Sequence, residues 1–595
     1  MKIKIADHEK IIEIDIKEEE TLLDAMKRHG IYMPAYCAGR GTCKKCRIQL
    51  LEGTLAVTEA DKAAFDAGQL AAGMRLSCQA RPESDCTVRL CTLDEDDFEI
   101  LTEGQSFGGA GSDRRAAAFG NHSAAAGTYA EYAGAAGGAG YEAAQDKASA
   151  RGGADYGIAV DIGTTTIAME LLDLATGAVC ARDSRINHQR AFGADVISRI
   201  QASVDGSGAA LRMSICRDLL EGIGALMEQA GITGDQLRRM FIAANTTMCH
   251  LLMGYPCHSL GVAPFTPVNI STIRTDALTV LGEALGADAS GADVKTRPEA
   301  PGSAAAAVPG GPAGRGSVLS REAAGKLELV VLPGISTFVG ADIVAGLLVC
   351  DFAQQEAPCM LIDLGTNGEM AIGNRLRRIA TSTAAGPAFE GGNISCGTGS
   401  VKGAIHSVTI DGEEISYQTI GGAAPVGICG TGVLDITAEL VAHEIVDETG
   451  LLDDDYFDEG ILIARTADGE PITFTQKDVR EIQLAKAAVR AGIEVLLKRY
   501  GAGIDEIAAV YLSGGFGFRL DVDKAIAVGL LPESFRGKIK ISGNSSLAGA
   551  RACLLDDNCL ETARLLAEST EELSLANDVD FNNFYMDAMC FESEY

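Results

Sequence analysis

The stretch A-V-D-I-G-T-T-T-I-A-M-E-L at residues 159–171 is matched by L-I-D-L-G-T-N-G-E-M-A-I at residues 361–372, about 200 residues later. Each copy has an apolar strand that ends at an aspartate, a turn containing Gly-Thr, and a second apolar strand. This repetition predicts a duplicated fold with a site between its two halves. From residue 156 onward, strand-like runs alternate with amphipathic helical stretches, which predicts an α/β fold.

The two aspartates of these copies, Asp161 and Asp363, are predicted to serve a nucleotide and its Mg²⁺. A carboxylate at a strand end places an acid for Mg²⁺ or its waters beside the N–H and hydroxyl donors of a Gly-Thr turn, which suit phosphate oxygens. The chain contains no G-x-x-x-x-G-K-S/T sequence, so a P-loop is excluded. A single D-x-G-T is common by chance, but two copies with a late S-G-G-F-G at residues 513–517 favour a nucleotide site. The isolated G-T-G-S-V-K-G (397–403) and G-I-C-G-T-G (427–432) are predicted to be tight turns.

These three motifs resemble those of the actin, sugar kinase and Hsp70 ATPase superfamily. D-I-G-T-T-T is similar to its first phosphate motif, D-L-G-T-N-G to its second, and S-G-G-F-G to its adenosine motif. The resemblance implies a duplicated, ribonuclease H-like fold with Asp161 and Asp363 as the catalytic residues. It also implies that phosphate and Mg²⁺ are contacted by Asp161, Gly163, Thr164 and Thr165 from one half and by Asp363, Gly365, Thr366 and Asn367 from the other, and that the adenosine packs on Gly514 and Gly515.

A second constellation begins with C-A-G-R-G-T-C-K-K-C at residues 37–46. Cys37, Cys43, Cys46 and Cys78 have the spacing C-x5-C-x2-C-x31-C. Three thiolates from one loop and one from a distant strand end can surround a two-iron cluster, in which each iron takes two sulfurs. A four-cysteine set can also hold zinc, but zinc sites usually pair two C-x2-C knuckles, and this set has one.

Residues 1–98 are predicted to form a small α+β domain around this loop. K-I-K-I and I-I-E-I-D-I alternate like strands, and Thr21 is expected to cap a helix that buries Leu22, Leu23 and Met26. The runs R-I-Q-L-L-E-G, M-R-L-S-C-Q-A and C-T-V-R-L follow as strands. The helix before the loop and the cysteine in R-L-S-C-Q-A resemble the adrenodoxin-like [2Fe–2S] ferredoxins, which implies a β-grasp fold and a [2Fe–2S] cluster.

Two segments rich in glycine and alanine divide the chain. Residues 99–155 are predicted to be a flexible linker, because such a composition cannot bury enough apolar surface to offset its conformational entropy. A similar segment at about 286–317 is predicted to be a disordered insertion within the ATPase domain, which spans residues 156–595.

Charge and hydropathy exclude several classes of function. A formal net charge of −32 would repel a phosphate backbone, so no nucleic-acid partner is expected. The first residues contain no apolar run of signal-peptide length, and no run elsewhere is long enough to span a membrane, so a cytoplasmic protein is expected. Its 17 cysteines, an odd number, do not suggest a disulfide framework.

A ferredoxin domain joined to this ATPase fold resembles the reductive activators of corrinoid proteins. The stretches that match this family are N-T-T-M-C-H-L-L-M-G (245–254), P-G-I-S-T-F-V-G-A-D-I (333–343), G-P-A-F-E-G-G-N-I-S-C-G (386–397) and S-G-N-S-S-L-A-G-A (542–550). The resemblance implies ATP-dependent transfer of one electron from the cluster, which reduces inactive Co(II) to Co(I) in a corrinoid methyl-carrier protein. It implies a [2Fe–2S] cluster, ATP and Mg²⁺ as cofactors, and an upstream electron donor such as a ferredoxin or a flavoprotein. A homodimer is left open.

Two other functions use the same motifs. One is a small-molecule kinase with a fused ferredoxin domain. The other is an ATPase-type activator of a different low-potential metalloenzyme. The activators of 2-hydroxyacyl-CoA dehydratases share the ATPase fold, but their cluster cysteines lie within that fold, unlike the separate ferredoxin-like domain here.

Overall fold

A computed structural model describes residues 2–91, 155–287 and 319–591 of the 595-residue chain. Short gaps fall at 8–9, 18–19, 30, 32, 34, 36–38, 43, 413, 518–519 and 577. Nearly all of the predicted linker (99–155) and insertion (286–317) lies outside the described residues, as do Cys37 and Cys43. In the described part of the chain, no helix is both long and apolar enough to cross a membrane.

The N-terminal region folds around one five-stranded sheet. Its elements are β1 (Lys2–Asp7), β2 (Lys10–Asp15), α1 (Leu22–Arg28), β3 (Arg47–Glu52), α2 (Glu59–Ala64), α3 (Ala67–Ala71), β4 (Met74–Leu76) and β5 (Cys86–Leu90). The strand order is β2-β1-β5-β3-β4, and β1 pairs with β5 in parallel, as in a β-grasp. The helix prediction is confirmed: Thr21 accepts a hydrogen bond from the Asp24 N–H, and Leu22, Leu23 and Met26 are buried.

The run M-R-L-S-C-Q-A is shorter as a strand than the sequence suggests. The strand β4 ends at Leu76, whose carbonyl accepts hydrogen bonds from the N–H groups of Gln79 and Ala80. Cys78 therefore lies in a turn after the strand. This turn directs it toward the loop that contains the other cysteines of the predicted set.

The first half of the C-terminal region is built on a six-stranded sheet. Its elements are β6 (Tyr156–Ile162), β7 (Thr166–Asp173), β8 (Val179–Ile186), α4 (Val196–Ala202), α5 (Gly208–Ala230), β9 (Leu237–Ala244), α6 (Thr246–Met253), α7 (His258–Gly261), β10 (Ile273–Asp276), α8 (Ala277–Ala287), α9 (Arg321–Lys326), β11 (Glu328–Val331) and α10 (Ala341–Val349). The strand order is β10-β11-β9-β6-β7-β8.

The second half is built on another six-stranded sheet, with order β21-β20-β12-β13-β14-β22. Its elements are β12 (Cys359–Leu364), β13 (Gly368–Gly373), β14 (Arg378–Thr383), β15 (Ala404–Asp411), β16 (Glu414–Thr419), β17 (Gly427–Ile428), α11 (Gly430–Ala442), β18 (Ile461–Arg465), β19 (Pro471–Phe474), α12 (Gln476–Tyr500), β20 (Ala509–Ser513), α13 (Gly514–Gly517), α14 (Val522–Ala527), β21 (Ile539–Gly543), α15 (Ser545–Leu555), α16 (Asp557–Ser569), β22 (Thr570–Glu572) and α17 (Val579–Asp587). Strands β15–β17 and β18–β19 form two smaller sheets.

The two large sheets share one topology. In the first, β8-β7-β6 is an antiparallel meander, and β9 and β11 follow β6 in parallel. In the second, β14-β13-β12 is the same meander, and β20 and β21 follow β12 in parallel. The duplication predicted from the two D-x-G-T stretches is therefore present in the strand order itself.

A shared core joins the two halves. It contains buried residues of both sheets, such as Phe241 and Leu361, together with residues of α10 and α15. These two helices pack so closely that a Cβ atom on Gly549 would lie 2.5 Å from the Cβ of Ala345. The start of α15 contacts Asp161, and Asp342 at the start of α10 lies close enough to Asp363 to interact with its charge, so both helices contribute to the site described below.

Candidate functional site

The two D-x-G-T stretches form matching hairpins. Asp161 and Asp363 lie near the ends of β6 and β12, and each strand is joined to the next by a three-residue turn, 163–165 and 365–367. The N–H of Gly163 donates to the Thr166 carbonyl at 2.9 Å, and that of Gly365 donates to the Asn367 carbonyl at 3.0 Å. The strand–turn–strand prediction is confirmed for both copies.

Asp161 is held by two donors from the late part of the chain. The Asn544 amide donates to its Oδ2 at 2.8 Å, and the Ser546 hydroxyl donates to its Oδ1 at 2.7 Å. Burial raises the pKa of Asp161, and these hydrogen bonds oppose that rise. Asn544 also accepts the Leu547 N–H at 2.8 Å as the N-cap of α15, which fixes its orientation.

Asp363 lies among other carboxylates. Burial raises the pKa of Asp363 to about 6, with a further contribution from Asp161, and the Ser513 hydroxyl opposes the rise. Burial and the charge of Asp363 raise the pKa of Asp342, in the first turn of α10, to about 7. Burial and the charges of Asp342 and Asp363 raise the pKa of Glu369, which lies opposite Asp363 on β13. Each carboxylate thus opposes ionisation of the next, and a cation would relieve this repulsion.

These carboxylates fit a cation that is shared with phosphate. No group of three or more His, Cys, Asp or Glu side chains in the described ranges is arranged to hold a metal ion by itself. Mg²⁺ is usually bound by one or two carboxylates together with substrate phosphates and water. Asp161 and Asp363, on facing hairpins, suit that form of binding.

The threonines of the two turns meet on one carboxylate. The Thr165 hydroxyl donates to Glu390 Oε2 at 2.5 Å, and the Thr366 hydroxyl donates to the same oxygen at 3.0 Å. Thr164 is directed elsewhere: its hydroxyl accepts from the Asn245 amide at 3.0 Å. The amide of Asn367 donates to Glu369 at 3.1 Å. The structure therefore brings Thr165 and Thr366 together at Glu390.

The predicted adenosine motif lies beside the second hairpin. Gly514 follows β20 in a left-handed conformation (φ +92°), and a Cβ there would lie 2.8 Å from Asp363 Oδ1. Only glycine fits this approach. Gly515 is exposed, and no described atom lies within 4 Å of where its Cβ would be.

The described cysteines of the predicted cluster are neighbours. Cys46 and Cys78 are both buried, and the adjacent Cys78 thiol and burial together raise the pKa of Cys46. Gln79 donates to the Gly39 carbonyl at 2.9 Å, which ties the cysteine loop to the Cys78 turn. The buried Ser77 hydroxyl lies beside Cys46 and partly opposes the rise in the pKa of that thiol. Two adjoining buried thiols beside a hydroxyl donor fit the site of an iron–sulfur cluster.

Contacts between described residues connect the ferredoxin-like region to the ATPase-like region. The ammonium of Lys45, next to Cys46, donates to the Gly397 carbonyl at 2.8 Å. Lys27 of α1 lies 5.7 Å from the centre of the Phe192 ring. Gly397 lies seven residues after Glu390, so the cysteine loop contacts the segment that leaves the nucleotide-like site.

Sequence reasoning assigned no role to Asp342, Glu369, Glu390, Asn544 and Ser546. Four of these five lie in stretches that matched the resembled family (333–343, 386–397 and 542–550), and that match was the available signal. The turn prediction for G-I-C-G-T-G was wrong, because Gly430 begins the 13-residue helix α11. A Cβ on Gly430 would clash with the Phe389 carbonyl, so this glycine serves close packing.

Family models match consecutive parts of the chain. The 2Fe-2S iron-sulfur cluster binding domain matches residues 5–83, the RACo middle region matches 156–287, and the C-terminal domain of RACo, the ASKHA domain, matches 357–595. The middle-region match coincides with much of the first duplicated half, and the Gly/Ala segment at 99–155 lies before it.

Similar proteins extend across both regions. The chain is 31% identical over 453 residues to the corrinoid activation enzyme RamQ of Eubacterium limosum, covering 72% of this chain and 69% of that protein. It is 27% identical over 457 residues to a Co(II) methylated amine-specific corrinoid protein reductase of Methanosarcina barkeri, covering 72% and 76%. A solved structure of a reductive activator for corrinoid, iron-sulfur protein matches 99% of this chain and 98% of its own, with 26% identity and a TM-score of 0.63.

Proposed function

We propose that this chain, which belongs to the family of reductive activators of corrinoid proteins, reduces inactive Co(II) to Co(I) in a corrinoid protein at the expense of ATP. The predicted family and fold class, a ferredoxin domain joined to an actin-like ATPase domain, are confirmed by the matches. One observation carries the proposal: the neighbouring buried thiols of Cys46 and Cys78 and the pair of D-x-G-T hairpins occur in a single chain.

The need for ATP follows from the energetics of the reduction. When bound, the cluster would supply one electron at a potential of roughly −400 mV, whereas Co(I) is a stronger reductant, so the transfer is uphill. Each 59 mV of shortfall is about a tenfold loss in the equilibrium constant. A change in how the corrinoid partner binds, driven by ATP, can supply a few kcal/mol. The ATPase domain should therefore act on the protein complex rather than on a small phosphoryl acceptor.

The nucleotide roles of the hairpin residues are part of this proposal. Asp161 and Asp363 would serve Mg²⁺ and its waters, and the turns Gly163, Thr164, Thr165 and Gly365, Thr366, Asn367 would receive phosphate oxygens. Gly514 and Gly515 would lie against the adenosine. The facing hairpins and the adjacent α13 support these roles. Cys37 and Cys43 would complete the cluster ligands with Cys46 and Cys78.

The domain boundaries and partners also remain proposals. We place the ferredoxin domain at residues 1–98, the linker at 99–155 and the ATPase domain at 156–595, and the family matches at 5–83, 156–287 and 357–595 support this division. A reduced ferredoxin or flavoprotein would supply the electron in the cytoplasm. The chain could act as a homodimer.

The test uses the full-length protein with its cluster, a reductant, Mg²⁺-ATP and a purified corrinoid protein. Visible absorption should show conversion of Co(II) to Co(I) that requires ATP. Equal rates without ATP would overturn the coupling, and full activity of Cys43→Ser would overturn the role of the cluster. ADP release that depends on a small-molecule acceptor, with no corrinoid protein present, would favour the fused kinase.

A further inference from the structure

Glu390 occupies the cleft between the two halves of the ATPase domain. Its Oε2 accepts hydrogen bonds from Thr165 of the first hairpin and Thr366 of the second. Its Oε1 faces the second turn, where a Cβ on Gly365 would lie 3.9 Å away. One carboxylate therefore contacts both turns that are proposed to receive phosphate.

The backbone holds Glu390 firmly in this position. Glu390 ends a short 3-10 turn, Pro387–Glu390, and Gly391 continues in the left-handed conformation (φ +73°). The N–H of Gly391 donates to the Ala388 carbonyl at 3.0 Å, and that of Gly392 donates to the Pro387 carbonyl at 2.8 Å. The first turn of α11 packs against the same segment, where a Cβ on Gly430 would lie 3.2 Å from the Glu390 nitrogen. A side chain on so constrained a backbone can orient a small molecule.

The two threonines cannot serve Glu390 and phosphate at the same time. Each hydroxyl has one proton to donate, so a phosphate oxygen that accepts it takes it away from the carboxylate. Phosphate binding would therefore release a half-buried carboxylate next to the terminal phosphate. In the described part of the chain, no ion pair neutralises Glu390. A released carboxylate in this place can accept a hydrogen bond from a water molecule and then its proton.

We propose that Glu390 orients the water that attacks the terminal phosphate of ATP and accepts its proton. This inference rests on the proposed ATPase function. In this step a bond forms between the water oxygen and the terminal phosphorus, and the bond from that phosphorus to the bridging oxygen breaks. ADP leaves with the electron pair of the broken bond. The water proton passes to Glu390 and then to the released phosphate or to solvent.

The central variant is Glu390→Gln. Its amide oxygen can still accept both threonine hydrogen bonds, so the contact between the halves is kept while the proton acceptor is lost. We expect single-turnover ATP hydrolysis to fall about 100-fold or more, with the dissociation constant of Mg²⁺-ATP within about threefold of wild type. Glu481→Gln is the matched control: its carboxylate accepts an exposed, long 3.3 Å hydrogen bond from Asn393, and wild-type hydrolysis is expected.

A second variant separates catalysis from structure. Glu390→Asp keeps a carboxylate but withdraws it from the threonines, so it should hydrolyse ATP faster than Glu390→Gln. A purely structural contact would give the opposite order, because Glu390→Gln is the variant that keeps the threonine hydrogen bonds. Hydrolysis by Glu390→Gln within about fivefold of wild type would overturn the inference. Absence of ATP binding by the wild-type protein would instead overturn the proposed function.

Discussion

The two phosphate hairpins have the same backbone but different surroundings. In the first, Asp161 pairs across the sheet with Ala168, and its carboxylate accepts hydrogen bonds from Asn544 and Ser546. In the second, Asp363 pairs with Glu369, a second acid. Asp161 thus accepts hydrogen bonds from neutral donors, whereas Asp363 lies beside another carboxylate.

This difference suggests that Asp161 and Asp363 play different parts in binding Mg²⁺-ATP. The two neutral donors of Asp161 partly offset the effect of its burial, and they fix the position of its carboxylate. A carboxylate beside Glu369 and Asp342 gains most from an incoming cation, because the cation relieves mutual repulsion. We therefore expect Mg²⁺-ATP to stabilise the second hairpin more than the first.

The largest effect should come from Asp363→Asn, compared with Asp161→Asn. Asp363→Asn should lower ATP hydrolysis about 100-fold or more through loss of a metal-facing carboxylate, while its neutral side chain preserves or raises the melting temperature at pH 8. Asp161→Asn should destabilise the protein by roughly 1–3 kcal/mol, because its single amide oxygen can accept only one of the two hydrogen bonds that Asn544 and Ser546 donate. Hydrolysis assays and thermal melts of both variants test the contrast. Equal melting temperatures for the two variants would contradict it.

The next comparison is Gly365→Ala against Gly163→Ala. A Cβ at Gly365 would meet its nearest atoms at 3.8 Å and 3.9 Å, so the fold should accept it, whereas one at Gly163 would lie 2.9 Å from the Thr166 carbonyl. Gly365→Ala should weaken ATP binding about 10-fold at an unchanged melting temperature, and Gly163→Ala should lower the melting temperature. Calorimetric titration with ATP would show this. Wild-type affinity in Gly365→Ala would mean that phosphate does not approach this turn.

A third effect is the pH dependence of stability without nucleotide. The pKa values of Asp363 (about 6) and Asp342 (about 7) lie above those of an unfolded chain, so the folded state binds more protons between about pH 4 and pH 7. Stability from these groups is present at low pH and is lost as pH rises through the folded pKa values. The melting temperature should fall by a few degrees between pH 5 and pH 8, and Glu369→Gln should reduce this fall. A melting temperature that rises over this range would show that other groups dominate.

The smallest effect should come from Ser546→Ala. This change removes one of the two hydrogen bonds on Asp161 and should cost about 1 kcal/mol in the free energy of unfolding. Denaturant unfolding measures it against Ser416→Ala, whose exposed hydroxyl makes a long 3.4 Å hydrogen bond on β16. If both variants have the same stability, the Ser546 contact contributes nothing to the first hairpin.

The sequence predicted what is local in the chain. Each hairpin could be read from alternating apolar residues that stop at an aspartate and a Gly-Thr turn, because strands and turns depend on neighbouring residues. The cap at Thr21 and the adjacency of Cys46 and Cys78 also followed from spacing. The cluster ligation itself remains a prediction, since Cys37 and Cys43 lie outside the described residues.

The sequence could not predict which distant segments complete the site. Asn544 lies 383 residues from Asp161, and Glu390 lies 225 residues from Thr165. Their contacts depend on how α10, α11 and α15 pack between and beside the sheets. The turn prediction at Gly430 was wrong for the same reason. The Phe389 carbonyl, 41 positions earlier in the chain, leaves no room for a side chain at this position.

The contacts of Lys45 with Gly397 and of Lys27 with Phe192 affect how firmly the ferredoxin-like region is held against the ATPase-like region. A hydrogen bond and a half-buried cation–π contact are each worth about 1 kcal/mol. Together they bias the docked arrangement by only about 30 to 1, since 1.4 kcal/mol is a factor of about ten. These two contacts by themselves therefore do not lock the ferredoxin-like region in place. A partner protein that competes for Lys27 and Lys45 has to offset about 2 kcal/mol for these two contacts.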